Sequence, residues 1–264
     1  MSALTHMSMS NTQIIFNGKL RTVDDVWLQR HTPGVRDLEG AFETMLYRTD
    51  GLVDPEAHYA RLVRGLKQLG LPVPWTKPQL RRWVEQLIAA SGKECSAALQ
   101  RVRVMVWQER GKVHWGVAAA VYIPPKKSLY SGGVTVCLVP VMPRFRKEDG
   151  TFKALKYAVY RKALDKARSR GCFEAVLVDC QGRIIDGSRT NLILLTDRGL
   201  LTPPSGYGTL AGITVRRVLT LARSAGLKVV KRSVTTQDLT SARAAWLANS
   251  LLGLIPVKFP VTFF

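Results

Sequence analysis

The sequence predicts an α+β protein in two lobes. Apolar residues recur at helical spacing over 55–71, 77–92, 153–170 and 212–227. Strand-like runs, alternating or wholly apolar, separate those stretches. A Pro-, Gly- and Lys-rich segment, PPKKSLYSGG (124–133), falls between the halves and reads as a linker. With 264 residues the chain can hold one large domain or two small ones and bury a full core.

IIFNGKL (14–20) reads as strand, tight turn and strand, because Asn17-Gly18 suits a hairpin turn. AFETMLYRTDGLVD (41–54) repeats that pattern around Asp50-Gly51. Over 55–71, Pro55 suits a first helical turn with Asp54 as N-cap, Leu62, Leu66 and Leu69 form the stripe, and Gly70 ends it. A second helix over 77–92 closes at Gly92, and 98–123 gives two strands around Arg110-Gly111. These elements make residues 1–123 a small α+β domain, with 124–133 the linker and 134–264 a larger domain. The larger domain opens on the apolar strand VTVCLVPV (134–141), followed by the 153–170 helix, which Gly171 ends. A hairpin turning at Gln181-Gly182 comes next, then two strands around Asp197-Arg198-Gly199 and the 212–227 helix. A strand over 229–236, a helical turn at DLTSA (238–242), AAWLANS and LIPVKF complete it. Two such lobes share a cleft, a common place for a ligand.

Hydrophobic residues make up 46% and charged residues 22%, ordinary for a soluble globular protein. No apolar run reaches the roughly 18–20 residues of a spanning helix. The polar start MSALTHMSMSNTQ lacks the apolar core of a secretory signal and reads as a frayed tail, so the expected location is cytoplasmic. Cys95, Cys137, Cys172 and Cys180 form no C-x-x-C pair, and His6, His31, His58 and His114 add no ligand spacing. Buried free thiols and no metal are expected. The net charge of +20 is spread over pairs such as Arg81-Arg82, Lys126-Lys127 and Arg216-Arg217, with no tract and no nucleic-acid-binding motif. It reads as a solvated basic surface, with a preference for acidic small molecules or for a polyanion as the alternative, and nucleic acid is not the expected partner.

TFKALKYAVY (151–160) places Lys153 and Lys156 at the start of an apolar segment, and spacing alone does not choose between them. A wider set of short stretches does. GAFET (40–44), HYARL (58–62), KALKY (153–157), DGSRTN (186–191), LLTPP (200–204), GIT (212–214) and NSLLGLIPV (249–257) follow one another along nearly the whole chain. In that order and spacing they resemble the fold-type-IV pyridoxal-phosphate enzymes, which include branched-chain and D-amino-acid aminotransferases and aminodeoxychorismate lyase. The resemblance implies a D-amino-acid-aminotransferase-like fold, a small N-terminal α/β sandwich and a larger C-terminal pseudo-barrel, assembled as a homodimer.

The cofactor it implies, pyridoxal 5'-phosphate, is an aldehyde that forms a Schiff base with a lysine and serves as an electron sink. By resemblance that lysine is Lys153, near neutral in a desolvated pocket and able to move a substrate proton. Lys156 stands where the family has Asn or Ser, an extra cation one turn away that would help depress the Lys153 pKa. Arg61 is the phosphate arginine, able to bind bidentately. The GIT stretch opens a helix, so Ile213 and Thr214 offer N–H groups to the same anion, and Ser250 adds a hydroxyl. Tyr157 reaches the phenolic oxygen. The ring nitrogen needs an acid, and here Asp186 replaces the family Glu with one methylene less. Asn191 supports that loop.

The family divides by how it holds the substrate carboxylate. VWQERGKVHWG (106–116) contains Arg110 and His114, though not in the R-x-H spacing of the D-amino-acid enzymes. NSLLG resembles the NSLRG stretch frequent in aminodeoxychorismate lyases, and the length suits that branch. The favoured activity is therefore removal of pyruvate from 4-amino-4-deoxychorismate to give 4-aminobenzoate, a folate precursor. A D-amino-acid or branched-chain transaminase is the alternative, and a weakened cofactor-binding homologue the third. A dicarboxylate substrate suits a basic cleft, with Phe42, Arg103, Arg110, Lys112 and His114 as candidate contacts.

Overall fold

The computed structural model describes residues 12–23, 38–90, 99–142 and 145–263. His6, His31, Cys95 and the predicted stop at Gly92 lie outside the described residues.

Asn17-Gly18 turns β1 (Thr12–Phe16) back into β2 (Lys19–Val23) as an antiparallel hairpin. β3 (Glu39–Arg48) and β4 (Gly51–Leu52) follow, then α1 (Pro55–Gln68), α2 (Lys77–Ala90), β5 (Gln100–Glu109) and β6 (Lys112–Val121). The strands form one antiparallel sheet in the order β2-β1-β6-β5-β3-β4. Alternation splits it into two faces. Ala41, Met45, Val102, Val104, Val106, Trp115 and Val117 face Leu62 and Leu66 of α1 and Leu80, Val84, Leu87 and Ile88 of α2. Phe42 and Trp107 lie on the opposite face. Asp54 takes the N-cap position of α1 without capping it; its carboxylate meets Arg217 instead, at 3.3 and 3.4 Å.

The predicted linker is partly helical, with α3 at Lys127–Gly132. Beyond it come β7 (Val136–Pro140), α4 (Ala158–Ser169), β8 (Glu174–Val178), β9 (Arg183–Gly187), β10 (Asn191–Thr196), β11 (Gly199–Thr202) and α5 (Ile213–Ser224). The chain closes through β12 (Val229–Lys231), β13 (Val234–Thr235), α6 (Thr236–Thr240), β14 (Ala244–Asn249), β15 (Gly253–Pro256) and β16 (Thr262–Phe263). Two five-stranded sheets result, β12-β11-β10-β14-β15 and β13-β9-β8-β7-β16. Val136, Leu138, Val176, Leu192, Leu194 and Leu247 belong to the core they share. The outer face of β7 and β8 packs on α4, and that of β10 and β14 on α5.

Two expectations fail for physical reasons. The single strand over 229–236 is two strands in two sheets. Arg232 breaks it, donating to the Ser233 carbonyl and to both Asp238 oxygens, while Thr235 caps α6. The helix expected from 153 begins at Ala158, because residues 153–155 are occupied otherwise. Phe42 N–H donates to the Lys153 carbonyl at 2.9 Å, and Leu155 N–H to the Gly40 carbonyl at 2.9 Å. Ala154 bridges Ala41 antiparallel, so the lysine segment docks as a short extra strand on the open edge of β3.

Two glycines permit that docking. A Cβ on Gly40 would run into the Val106 carbonyl and the Leu155 side chain, and one on Gly65 of α1 would meet the Phe152 ring at 2.5 Å. Gly40→Ala is expected to cost about 1–3 kcal/mol in denaturant unfolding, the range for overpacking against backbone. An unchanged midpoint would contradict the close approach.

Candidate active site

Lys153 leaves its docked backbone with a half-buried side chain. Burial, then the Arg61 charge, lower its pKa to about 8; Arg103 lowers it further, while Glu43 and Asp186 pull the other way. Lys156 is exposed. The cations that depress Lys153 are thus Arg61 and Arg103, not the neighbouring lysine. The Lys153 amine lies 5.3 Å from the Phe42 ring centroid. Arg103 covers the same ring at 4.5 Å and faces the Tyr157 hydroxyl at a long 3.5 Å. Phe42 and Tyr157 pack at 5.4 Å between centroids.

The second part of the site is a buried polar network across both lobes. Arg61 donates from Nε to Glu43 Oε1 at 2.6 Å and from Nη2 to Oε2 at 2.8 Å, and its Nη1 donates to the Ala211 carbonyl at 2.9 Å. His58 Nδ1 lies 2.7 Å from Glu43 Oε2, and His58 Nε2 lies 3.1 Å from Ser250 Oγ. Burial works against ionisation of Glu43, but Arg61 and His58 outweigh it and hold its pKa at about 2. Glu43 and His58 are each 1% exposed and Arg61 4%. Ser250 sits in a tight turn: Asn249 Oδ1 accepts from the Leu251 and Leu252 N–H groups, and Asn249 Nδ2 donates to the Arg189 carbonyl. The start of α5 opens nearby; its N-cap Gly212 makes no side-chain cap, so the first amides, Ile213 and Thr214 among them, lack a side-chain acceptor from that position.

The third part is Asp186, 3% exposed, at the end of β9. It accepts from Leu210 N–H at 2.9 Å, Gly187 N–H at 3.1 Å and Asn191 Nδ2 at 2.9 and 3.2 Å. Burial drives its pKa well above the usual carboxylate range despite those donors. A Cβ on Gly212 would strike the Asn191 amide, so that position needs glycine. Fully buried Glu174 accepts from Ser188 Oγ, Thr190 Oγ1 and the Ala175 and Arg189 N–H groups, pinning the turn that joins β9 to β10.

The fold does not bring every predicted contact to Lys153. Arg110 and Lys112 are exposed at the β5–β6 turn. Seven residues along a strand put Arg110 about 23 Å from Arg103. His114 packs on Phe16 and Trp107 at 6.0 and 5.8 Å and contacts Asn17. Sequence reasoning had not singled out Glu43 or His58, although both lie inside quoted motifs. The signal was available for Glu43: it is an acid on the same strand parity as Ala41 and Met45, and a buried acid requires a partner. Cys137 and Cys172 are buried as expected, but Cys180 is exposed. Among the described residues no metal-ligand cluster occurs.

A desolvated lysine, an acid fully out of water, and an arginine beside an uncapped helix start are what a phosphorylated pyridine aldehyde needs. Comparison with known proteins names the class. The chain belongs to the class IV aminotransferases: the family model "Amino-transferase class IV" matches residues 40–258. It is 26% identical over 234 residues to a bifunctional aminodeoxychorismate lyase / D-amino acid transaminase of Mycobacterium tuberculosis, covering 81% of this chain and 78% of that protein. A probable branched-chain-amino-acid aminotransferase of Thermotoga maritima is 27% identical over 93% of this chain and 86% of its own length. Among solved structures, the Escherichia coli branched-chain amino acid aminotransferase superposes with TM-score 0.78 at 19% identity, over 94% of this chain and 86% of the other. The family is pyridoxal-phosphate-dependent, and the PLP-bound form of a hypothetical aminotransferase from Mycobacterium tuberculosis shares the fold at TM-score 0.77 and 21% identity, over 95% of this chain and 90% of that one. This protein is therefore a PLP-dependent enzyme of that family.

A lysine with pKa about 8 has about one tenth of its amine neutral at pH 7, where an ordinary lysine has almost none. The rate at which the apoprotein captures pyridoxal 5'-phosphate covalently is expected to rise with pH and level off above about 8. Stopped-flow absorbance measures it; a rate still climbing at the ordinary lysine pKa would contradict the depression. Glu43→Ala leaves Arg61 buried without its anion and is expected to cost about 3–5 kcal/mol in denaturant unfolding.

Proposed function

We propose that Lys153 is the cofactor lysine of a 4-amino-4-deoxychorismate lyase, which releases pyruvate and 4-aminobenzoate for folate synthesis. Bound pyridoxal 5'-phosphate supplies the aldehyde for the lysine amine and the electron sink for the reaction. The residues fit that group. A carboxylate has about four acceptor positions, and three donors occupy Asp186, which leaves room for a pyridinium N–H. Among its hydrogen-bond partners there is no cation, so a protonated ring nitrogen would supply the charge its burial demands. Of the five guanidinium N–H groups of Arg61, three are committed; the two left, with Ser250 and the first amides of α5 (Ile213, Thr214), make a phosphate seat. Tyr157 serves the phenolic oxygen.

Arg103 carries the lyase reading. It lies on Phe42 and beside Tyr157, on the Lys153 side of the cleft, and gives a substrate carboxylate a cation next to the reacting amine. Lys153 removes the proton from the carbon bearing the substrate's amino group and returns one to the methylene carbon of the departing enolpyruvyl unit. A second reading, amino transfer from a D- or branched-chain amino acid to a 2-keto acid, is supported by the names of several relatives. The proposal includes a cytoplasmic homodimer and the domain division 1–123, 124–133 and 134–264. Among the described residues no helix is long and apolar enough to cross a membrane.

The lyase is expected to form pyruvate and 4-aminobenzoate without any keto-acid acceptor; product formation that waits for an acceptor selects the transaminase. Absence of both with cofactor bound leaves only a cofactor-binding homologue. Borohydride reduction should fix the cofactor on the peptide of Lys153, and Lys153→Ala, but not Lys156→Ala, should abolish it. Arg103→Leu is expected to lower kcat/KM for the dicarboxylate about 10- to 100-fold, the loss of one charge-assisted contact.

A further inference from the structure

We propose that His58 is a proton-linked partner of the phosphate seat: a dianionic phosphate settling on Arg61 and Ser250 draws a proton from solvent onto His58. This deepens the phosphate assignment made above and rests on it.

Hydrogen-bond directions carry the inference. Glu43 is ionised and can only accept, so the His58 Nδ1 at 2.7 Å bears a proton in every state. The open question is Nε2, 3.1 Å from Ser250 Oγ. If His58 is neutral, Nε2 is a lone pair and Ser250 must donate to it. A hydroxyl has one proton. Spent on His58, that proton leaves Ser250 only lone pairs for the cavity, and these repel a phosphate oxygen. If Nε2 carries a proton, the bond reverses: the imidazolium donates to Oγ, and the hydroxyl proton is free for phosphate. No heavy atom has to move.

Charge balance points the same way. The groups facing His58 are Glu43 from β3, Arg61 from its own helix and Ser250 from the turn after β14. The bidentate pair to Glu43 already offsets the Arg61 charge, and the loop before α5 brings Arg61 only the Ala211 carbonyl. A dianion arriving there meets the α5 amides and little net positive charge. A proton on His58 supplies one unit, relayed through the hydroxyl that touches the phosphate.

Long-range proton–nitrogen spectra of protein labelled with ¹⁵N-histidine test this directly. There are only four histidines, and His58→Gln identifies the signal. At mildly alkaline pH, where the phosphate is a dianion, His58 should show one protonated nitrogen in the apoprotein and two when saturated with pyridoxal 5'-phosphate. Pyridoxal, which lacks the phosphate, should leave it neutral. One protonated nitrogen in the loaded protein, or two already in the apoprotein, overturns the proposal. Ser250→Ala should reduce the preference for pyridoxal 5'-phosphate over pyridoxal about tenfold, as one charge-assisted hydrogen bond is lost. If that preference is unchanged in both Ser250→Ala and Arg61→Ala, the phosphate seat itself is misplaced and this inference falls with it. If it drops while His58 stays neutral, the seat stands and the proton link alone fails.

Discussion

The main-chain pairing of residues 153–155 with the edge of β3 is the contact on which the site depends. β3 belongs to the antiparallel sheet of the first lobe, whereas the lysine segment leads into α4 of the second. Two backbone hydrogen bonds therefore do more than tether a loop. They keep Lys153 out of the following helix and away from the solvent that Lys156 meets. They also put it beside Phe42, on the strand that carries Glu43 one residue further on. The same strand thus sets the position of the lysine and supplies the anion that orders Arg61.

The electrostatics follow from that placement. The site holds two cationic side chains that lower the pKa of Lys153 and two carboxylates that raise it, and burial tips the balance toward the neutral amine. The two acids are kept in opposite states by their surroundings. Glu43 faces Arg61 and His58 and stays ionised. Asp186 is surrounded by amide donors alone and is pushed up. One settled anion and one acid in want of a cation give the site two ends of different electrostatic character.

Much of this was legible in the sequence. Hairpin turns, helix stripes and the apolar strands follow from local pattern, and the ordered motifs led to Lys153, Arg61 and Asp186. What stayed hidden was non-local. No local propensity shows that 153–155 pairs as a strand, because the reason lies more than a hundred residues away, on the free edge of β3. The break at Arg232 depends on an arginine meeting an aspartate six residues on, within a stretch whose residues otherwise favour a strand. Arg110 and Lys112 looked eligible by charge, and the length of β5 separates them from Arg103, while His114 pairs across from Trp107 and packs on it. Glu43 in GAFET and His58 in HYARL were read as motif letters, and only the fold shows that Glu43 binds both His58 and Arg61.

Asp186 stands at the end of a strand, held from three sides, and cannot swing forward to make up for its missing methylene. In the proposed arrangement the missing methylene is made up by a ring seated closer to β9 or by a bridging water. Because residues 153–155 are fixed to β3, the depth of a ring held in that way would set the room left before Phe42 and Arg103. On that assignment, a single side-chain shortening at the back of the pocket would gauge the size of molecule admitted at the front.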